Sequence, residues 1–179
     1  GIGAGSRRAD CWRAWQGAGL MRARLLPQDV AASDLVGGAT LEFNIPAEED
    51  YATLAALLAE RISGGVVIAL DGPVGAGKTT FTRLLASRLG VDLSREEVVS
   101  PTYAWLNRYG AGRLPIHHFD FYRLASSDEA DALGFAELIG ASDALTLIEW
   151  ASQLPELLPA GTWRLSLDYP PLGTDGRLA

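Results

Sequence analysis

Val66-Val67-Ile68-Ala69-Leu70-Asp71-Gly72-Pro73-Val74-Gly75-Ala76-Gly77-Lys78-Thr79-Thr80 reads as strand, loop and helix start in one unbroken stretch. Its first five residues are apolar and mostly β-branched, as a strand buried on both faces requires. Gly72 through Thr79 then fits the phosphate-binding pattern G-x-x-x-x-G-K-[ST] at every fixed position. Phe81, Leu84, Leu85 and Leu89 follow at helical spacing until Gly90 ends the run. Backbone N–H groups at such a helix start point into the loop, and the helix dipole favours an anion there. Lys78 is the only lysine beside 14 arginines. A compact ammonium can curl over a phosphate chain where a planar guanidinium fits poorly. The stretch therefore predicts a nucleotide site built from Gly72, Gly75, Ala76, Gly77, Lys78, Thr79 and Thr80. Lys78 would reach the β- and γ-phosphates of ATP, and the Thr79 hydroxyl, ahead of Thr80, would hold Mg²⁺. A glycine-rich turn of no chemical meaning is the competing reading, and the strand before and helix after weigh against it.

A phosphate loop needs a second element to hold the metal and orient water. Ligands in open α/β sheets lie at the carboxyl ends of strands. Two acids sit at such ends: Asp120 after Ile116-His117-His118-Phe119, and Glu149 after Leu145-Thr146-Leu147-Ile148. Either could hold Mg²⁺ directly or through water, and with Lys78 they are the expected catalytic residues. A solvated strand-end carboxylate is the plain alternative for each. His117 and His118 point to opposite faces of a strand, which disfavours a shared metal; one should be packed, one near solvent, and neither needs a catalytic role. Trp105, Trp150 and Trp163 read as core before nucleotide-stacking groups. Arg123 suits a phosphate contact or a surface ion pair equally.

The 179 residues suit one α/β domain with appendages, and 48% hydrophobic content supplies a core. No apolar run approaches the ~20 residues of a membrane span. The one cysteine, Cys11, excludes an internal disulfide and fits a reduced, cytoplasmic setting. Net charge is −7, unevenly spread: residues 1–40 carry +2 and residues 41–179 carry −9. A domain so acidic is a poor independent binder of nucleic acid, because phosphate contacts need clustered cations.

Residues 1–40 differ from the rest: linker-like at Gly1–Ser6, without sustained period, and with the only methionine at Met21. They are expected to form a poorly ordered N-terminal extension, and residues 41–179 the domain. Thr40–Ile45 reads as a short strand, and Pro46-Ala47-Glu48-Glu49-Asp50 opens a helix whose apolar face includes Tyr51, Leu54 and Leu58. Ala104–Tyr109 and Leu114–Phe119 read as further strands, residues 128–139 as a helix, and Trp163–Asp168 as a half-exposed strand.

The phosphate loop, Ser100-Pro101-Thr102-Tyr103, His118-Phe119-Asp120-Phe121-Tyr122-Arg123-Leu124, Gly134 and Ile148-Glu149-Trp150, in this order, resemble the TsaE (YjeE) ATPases from about residue 42 to 170. The loop alone is shared by many families; the other blocks are far more specific. The resemblance implies a three-layer α/β P-loop NTPase fold with a mostly parallel central sheet and antiparallel additions. It implies a Mg²⁺-dependent ATPase, weakly active without partners. That ATPase would act with TsaB and TsaD in making threonylcarbamoyladenosine beside the anticodon of tRNA, resetting the complex between turnovers. TsaD, with TsaB, would be the transferase, and tRNA would be met through the complex. Carried over by position, Thr79 and Glu149 match magnesium positions and Asp120 the carboxylate of the second nucleotide motif. Ser100-Pro101-Thr102 match a switch-like segment sensing the γ-phosphate, Trp150 should report nucleotide state, and Glu49 or Asp50 should lie near the nucleotide.

Pro73-Val74 departs from the family's frequent Asp-Leu, the end is short, and residues 1–40 have no counterpart in the resemblance. A small-molecule or nucleoside kinase remains the alternative, although no lid-sized insertion is visible and Arg95, Arg108, Arg113 and Arg123 are scattered. A nucleotide-gated binding module with negligible turnover is the non-enzymatic alternative, since no arginine finger or water-orienting glutamine is evident.

Overall fold

The computed structural model describes residues 20–23, 40–45 and 49–167, with side chains from residue 51 onward. Seven strands are present among them: β1 (Leu20–Ala23), β2 (Thr40–Ile45), β3 (Val67–Asp71), β4 (Leu106–Tyr109), β5 (Ile116–Asp120), β6 (Leu145–Glu149) and β7 (Trp163–Leu167). They form one sheet in the order β1-β2-β7-β3-β6-β5-β4. Every neighbouring pair is parallel except β4 with β5, so the antiparallel addition is a single edge strand.

The phosphate-loop strand β3 lies between β7 and β6, and its alternating contacts explain its composition. Ile68 and Leu70 face a core shared with Tyr51, Leu54 and Leu58 of helix α1 (Glu49–Ala59) and Phe81 and Leu85 of helix α2 (Lys78–Arg88). Val67 and Ala69 face a second core with Phe119, Phe121, Phe135 and Leu154, beside helix α3 (Ser127–Ala132). A strand buried on both faces cannot alternate polar with apolar, hence the continuous apolar run. The two cores on opposite faces of the sheet make three layers.

Several expectations change. Leu20–Ala23, inside the stretch expected to stay out of the fold, pairs in parallel with Thr40–Phe43 as an edge strand. The rest of residues 1–39 and all of 168–179 lie outside the described residues, and so does the expected effect of the short C-terminus. The strand expected from Ala104 begins at Leu106, because Trp105 adopts φ 59 in the left-handed region. The helix expected over 128–139 ends at Ala132, and Gly134 at φ 72 turns the chain. Its start is capped, with Ser126 Oγ accepting from Glu129 N and Glu129 Oε2 accepting from Ala125 N. β7 keeps the expected alternation but is interior, flanked by β2 and β3. No helix among the described residues is long and apolar enough to cross a membrane.

Candidate functional site

Parallel register brings the two strand-end acids together. Asp120 of β5 and Glu149 of β6 are register partners, and Glu149 is also the partner of Leu70 on β3. Both carboxylates are buried, at 1% and 3% exposure. The loop from β3 to α2 lies beside them. Between loop and carboxylates is a cavity of about 480 Å³. Its walls include Gly75, Gly77, Lys78, Thr79, Thr80 and, opposite them, Ser100, Thr102, Asp120, Glu149 and Trp150. A volume in this range suits a nucleotide-sized ligand.

The loop's shape depends on its glycines. Gly72 has φ 149, and a Cβ there would lie 2.2 Å from the Leu167 carbonyl oxygen of β7. Gly77 has φ 89 and would meet the Tyr51 ring at 2.5 Å. The Tyr51 hydroxyl donates to the Ala76 carbonyl, tying α1 to the loop. Gly77 caps α2 without any side-chain hydrogen bond, and no acid occupies the first turn. The first amides of α2 are thus left to a ligand, in the arrangement that binds anions.

Lys78 is folded back over this loop. Its Nζ donates to the carbonyl oxygens of Gly72 at 2.8 Å and Pro73 at 2.9 Å, and lies 4.0 Å from the centre of the Trp150 ring. Burial pushes its pKa below the usual lysine value, opposed by the negative charges of Glu149, Asp120 and Asp71. Among the described residues it is the only cationic side chain in the cavity wall.

The carboxylates are held by hydroxyls. Thr79 Oγ1 donates to Glu149 Oε1 at 2.9 Å. Ser100 and Thr102 each donate to Asp120 Oδ2 at 2.6 Å, and Tyr122 N donates to Asp120 Oδ1 at 2.9 Å. Ser100 Oγ also lies 3.5 Å from Glu149 Oε2. Of the expected site residues, Gly75, Gly77, Lys78, Thr79, Thr80, Ser100, Thr102, Asp120, Glu149 and Trp150 line this one cavity, and Gly72, Ala76 and Pro101 are not in its wall. The Pro101 carbonyl instead accepts from Ala104 N and Trp105 N in a local turn. Both Thr79 and Thr80 line the cavity, and the Thr79 hydroxyl is the one that reaches a carboxylate. Hydroxyl and carboxylate oxygens are the ligands a hard cation such as Mg²⁺ takes, with phosphate oxygens and water completing its shell.

Trp150 is half-buried at the border of the core rather than inside it: it adopts φ 58, packs at 5.0 Å on Tyr122 and faces the cavity. Trp163 is buried, as expected. Arg123 lies over the Tyr103 ring at 5.1 Å. The side chains of Glu49 and Asp50, expected near the nucleotide, lie outside those described. Sequence reasoning missed one member: His118, fully buried, approaches Glu149 Oε1 with Nε2 at 2.9 Å. Its spacing was the available signal, since His118 and Asp120 share a face of β5.

Comparison with known proteins agrees with this geometry. A family model described as "Threonylcarbamoyl adenosine biosynthesis protein TsaE" matches residues 45–173. Proteins named tRNA threonylcarbamoyladenosine biosynthesis protein TsaE are similar over the central part. The Bacillus subtilis protein is 39% identical over 62% of this chain and 66% of its own length. The Rickettsia conorii protein is 38% identical over 62% of this chain and 61% of its own, and the Treponema pallidum protein 35% identical over 66% and 84%. This chain thus spans less than two thirds of the Bacillus and Rickettsia relatives. A crystal structure of Bacillus subtilis YdiB superposes with a TM-score of 0.54 at 30% identity, covering 68% of this chain and 71% of that one. With the family model covering the loop, both carboxylate strands and the segment between them, the chain belongs to the TsaE family.

Proposed function

We propose that this chain binds ATP with Mg²⁺ in the cavity beside Lys78 and hydrolyses it. It would do so in the cytoplasm, as a subunit of the machinery that makes threonylcarbamoyladenosine in tRNA. Homologues of TsaB and TsaD are its partners, and tRNA is met through them. The observation that carries this reading is the convergence of Lys78, Thr79, Asp120 and Glu149 on one cavity, in a chain of the TsaE family.

The chain's residues divide the work. Lys78 exchanges its Gly72 and Pro73 carbonyl partners for phosphate oxygens, which compensates the desolvation of its charge. The uncapped amides of α2 receive the same phosphates. Magnesium, when bound, neutralises charge on the β- and γ-oxygens. Thr79 and Glu149 are the residues to hold it, with Asp120 directly or through water. Ser100 and Thr102 are poised on Asp120 and can turn to a terminal phosphate, an interaction that hydrolysis would break. With Lys78 as the sole cation of the described wall, turnover alone is expected to be low, and a partner is expected to complete the site. The −9 charge of residues 41–179 agrees with leaving tRNA to the partners.

The test is ATP hydrolysis by the purified chain alone, then with a TsaB–TsaD pair, tRNA and threonylcarbamoyl-adenylate. Low activity raised by the partners, with tRNA modified over repeated cycles, supports the proposal. Activity indifferent to them but released by a small hydroxyl acceptor moves the assignment to a kinase. ATP binding without turnover in either setting leaves a nucleotide-gated binding module.

A further inference from the structure

His118 lies behind the site, not in the cavity wall. On β5 it shares with Ile116 the sheet face covered by α1 and α2, and on β6 Leu145, Leu147 and Glu149 share that face too. His118 pairs with Leu147, so its ring meets Glu149 on the diagonal, a reach that long side chains make across a sheet. An ionised carboxylate only accepts hydrogen bonds, so the nitrogen facing it, Nε2, carries a proton. Glu149 Oε1 then receives His118 Nε2 and Thr79 Oγ1, each at 2.9 Å. Among the described residues, Glu149 Oε2 has Ser100 Oγ alone, at 3.5 Å. One oxygen is pinned and the other left for a ligand.

The ring itself is held from behind. Tyr109 Oη lies 3.4 Å from His118 Nδ1 and 3.3 Å from the Val99 carbonyl; with the ring proton on Nε2, Nδ1 accepts, so the single hydroxyl proton is shared between these two acceptors, and Asn107 Nδ2 also reaches Val99 O at 3.1 Å. Burial pushes the Tyr109 phenol above its usual pKa, which keeps it a neutral hydroxyl. Arg83 of α2 donates to Val98 O at 3.3 and 3.2 Å. The backing therefore ends on the backbone directly before Ser100-Pro101-Thr102.

We propose that His118 is a positioning residue, whose Nε2–H fixes the Glu149 carboxylate with Oε2 turned toward the cavity, ready for the cation that accompanies the nucleotide. The proposal rests on the ATP-binding reading above. Its rival is a histidine that merely fills the core. The two part on geometry: a glutamine amide nitrogen falls near the Nε2 position, an asparagine amide nitrogen near Nδ1, and both are buried neutral amides.

The experiment is calorimetric ATP binding at graded Mg²⁺ and in EDTA, on the parent, His118→Gln and His118→Asn, with folding checked by circular dichroism and melting. Loss of a partner that orients a metal ligand costs about 10- to 100-fold in metal affinity. His118→Asn is expected to raise the Mg²⁺ needed for tight ATP binding by that factor, with EDTA affinity unchanged, and His118→Gln to restore the parent value. If the asparagine variant unfolds, His118→Leu against His118→Gln gives the same comparison. Gln and Asn variants that behave alike, beside a Mg²⁺-responsive parent, overturn this proposal alone. A parent whose ATP binding ignores Mg²⁺ overturns the functional reading and this proposal with it.

Discussion

The Lys78 ammonium lies 4.0 Å from the centre of the Trp150 ring while donating to two carbonyls of its own loop. Cation and indole are thus in contact before any phosphate arrives. A phosphate that draws Lys78 away must change the indole's surroundings. Contacts of this kind contribute about 0.5–2 kcal/mol.

ATP is accordingly expected to shift tryptophan emission, and Trp150→Leu to abolish the shift although four other tryptophans remain. ATP affinity by calorimetry should change by less than about thirtyfold in that variant, the ceiling that a cation–π energy of about 2 kcal/mol sets. An emission change that survives Trp150→Leu would place the reporter elsewhere, Trp105 being next to the Ser100–Thr102 segment.

Lys78 is also a liability for the folded state. Its pKa is lowered by burial, so the unfolded chain binds that proton more tightly. Between the lowered folded value and 10.5 the unfolded state holds more protons, and stability from this group rises with pH through that window. Below the folded pKa that stability is absent. Lys78→Met is therefore expected to melt no lower than the parent near neutral pH without nucleotide, while ATP affinity falls at least about tenfold, as loss of charge-assisted bonds requires. The parent should gain on the variant as pH approaches 10.5. Thermal unfolding of both chains across pH, with and without ATP, checks each part; unchanged Mg-ATP affinity in the variant would sink the site assignment.

Much of this was readable in residues 66–90 because one physical demand, amides and a cation around phosphate, constrains several neighbouring positions at once. Strand ends at Asp120 and Glu149 were legible too, since each follows a compact run of strand residues. Their register was not, because pairing β5 with β6 is decided by packing across the sheet and leaves no local mark. His118 shows the limit most plainly. Its chemistry is visible, but its partner lies 31 residues away on another strand. Burial statistics alone set Trp150 in the core, whereas the resemblance set it beside the site; the left-handed turn that aims it at the cavity is fixed by tertiary structure. Leu20–Ala23 carried too short a pattern to declare an edge strand.

Gly72→Ala tests the tie between loop and sheet. The added carbon would lie 2.2 Å from the Leu167 carbonyl, and φ 149 resists any side chain. Backbone strain and overpacking each cost about 1–3 kcal/mol, so an unfolding free energy lower by about 3 kcal/mol is expected in urea. A loss under about 1 kcal/mol would mean that the loop yields without disturbing the β3–β7 pairing.

Glu149 separates binding from chemistry. Among the described residues its carboxylate touches Thr79, His118 and Ser100 but no loop amide, so phosphates can still reach Lys78 and the start of α2 without it. Glu149→Gln keeps the volume and leaves one carbonyl oxygen to accept from the two donors, while removing the negative charge a divalent cation needs. ATP affinity in EDTA is expected to hold or tighten, since one negative charge near the phosphates is gone. Hydrolysis at saturating Mg²⁺ should fall about 100-fold or more, the scale on which loss of one group acting on developing charge is felt. Measuring both quantities on one preparation decides the matter. An equal fall in EDTA binding would make Glu149 a structural support of the loop, and intact hydrolysis would transfer the metal role to Asp120.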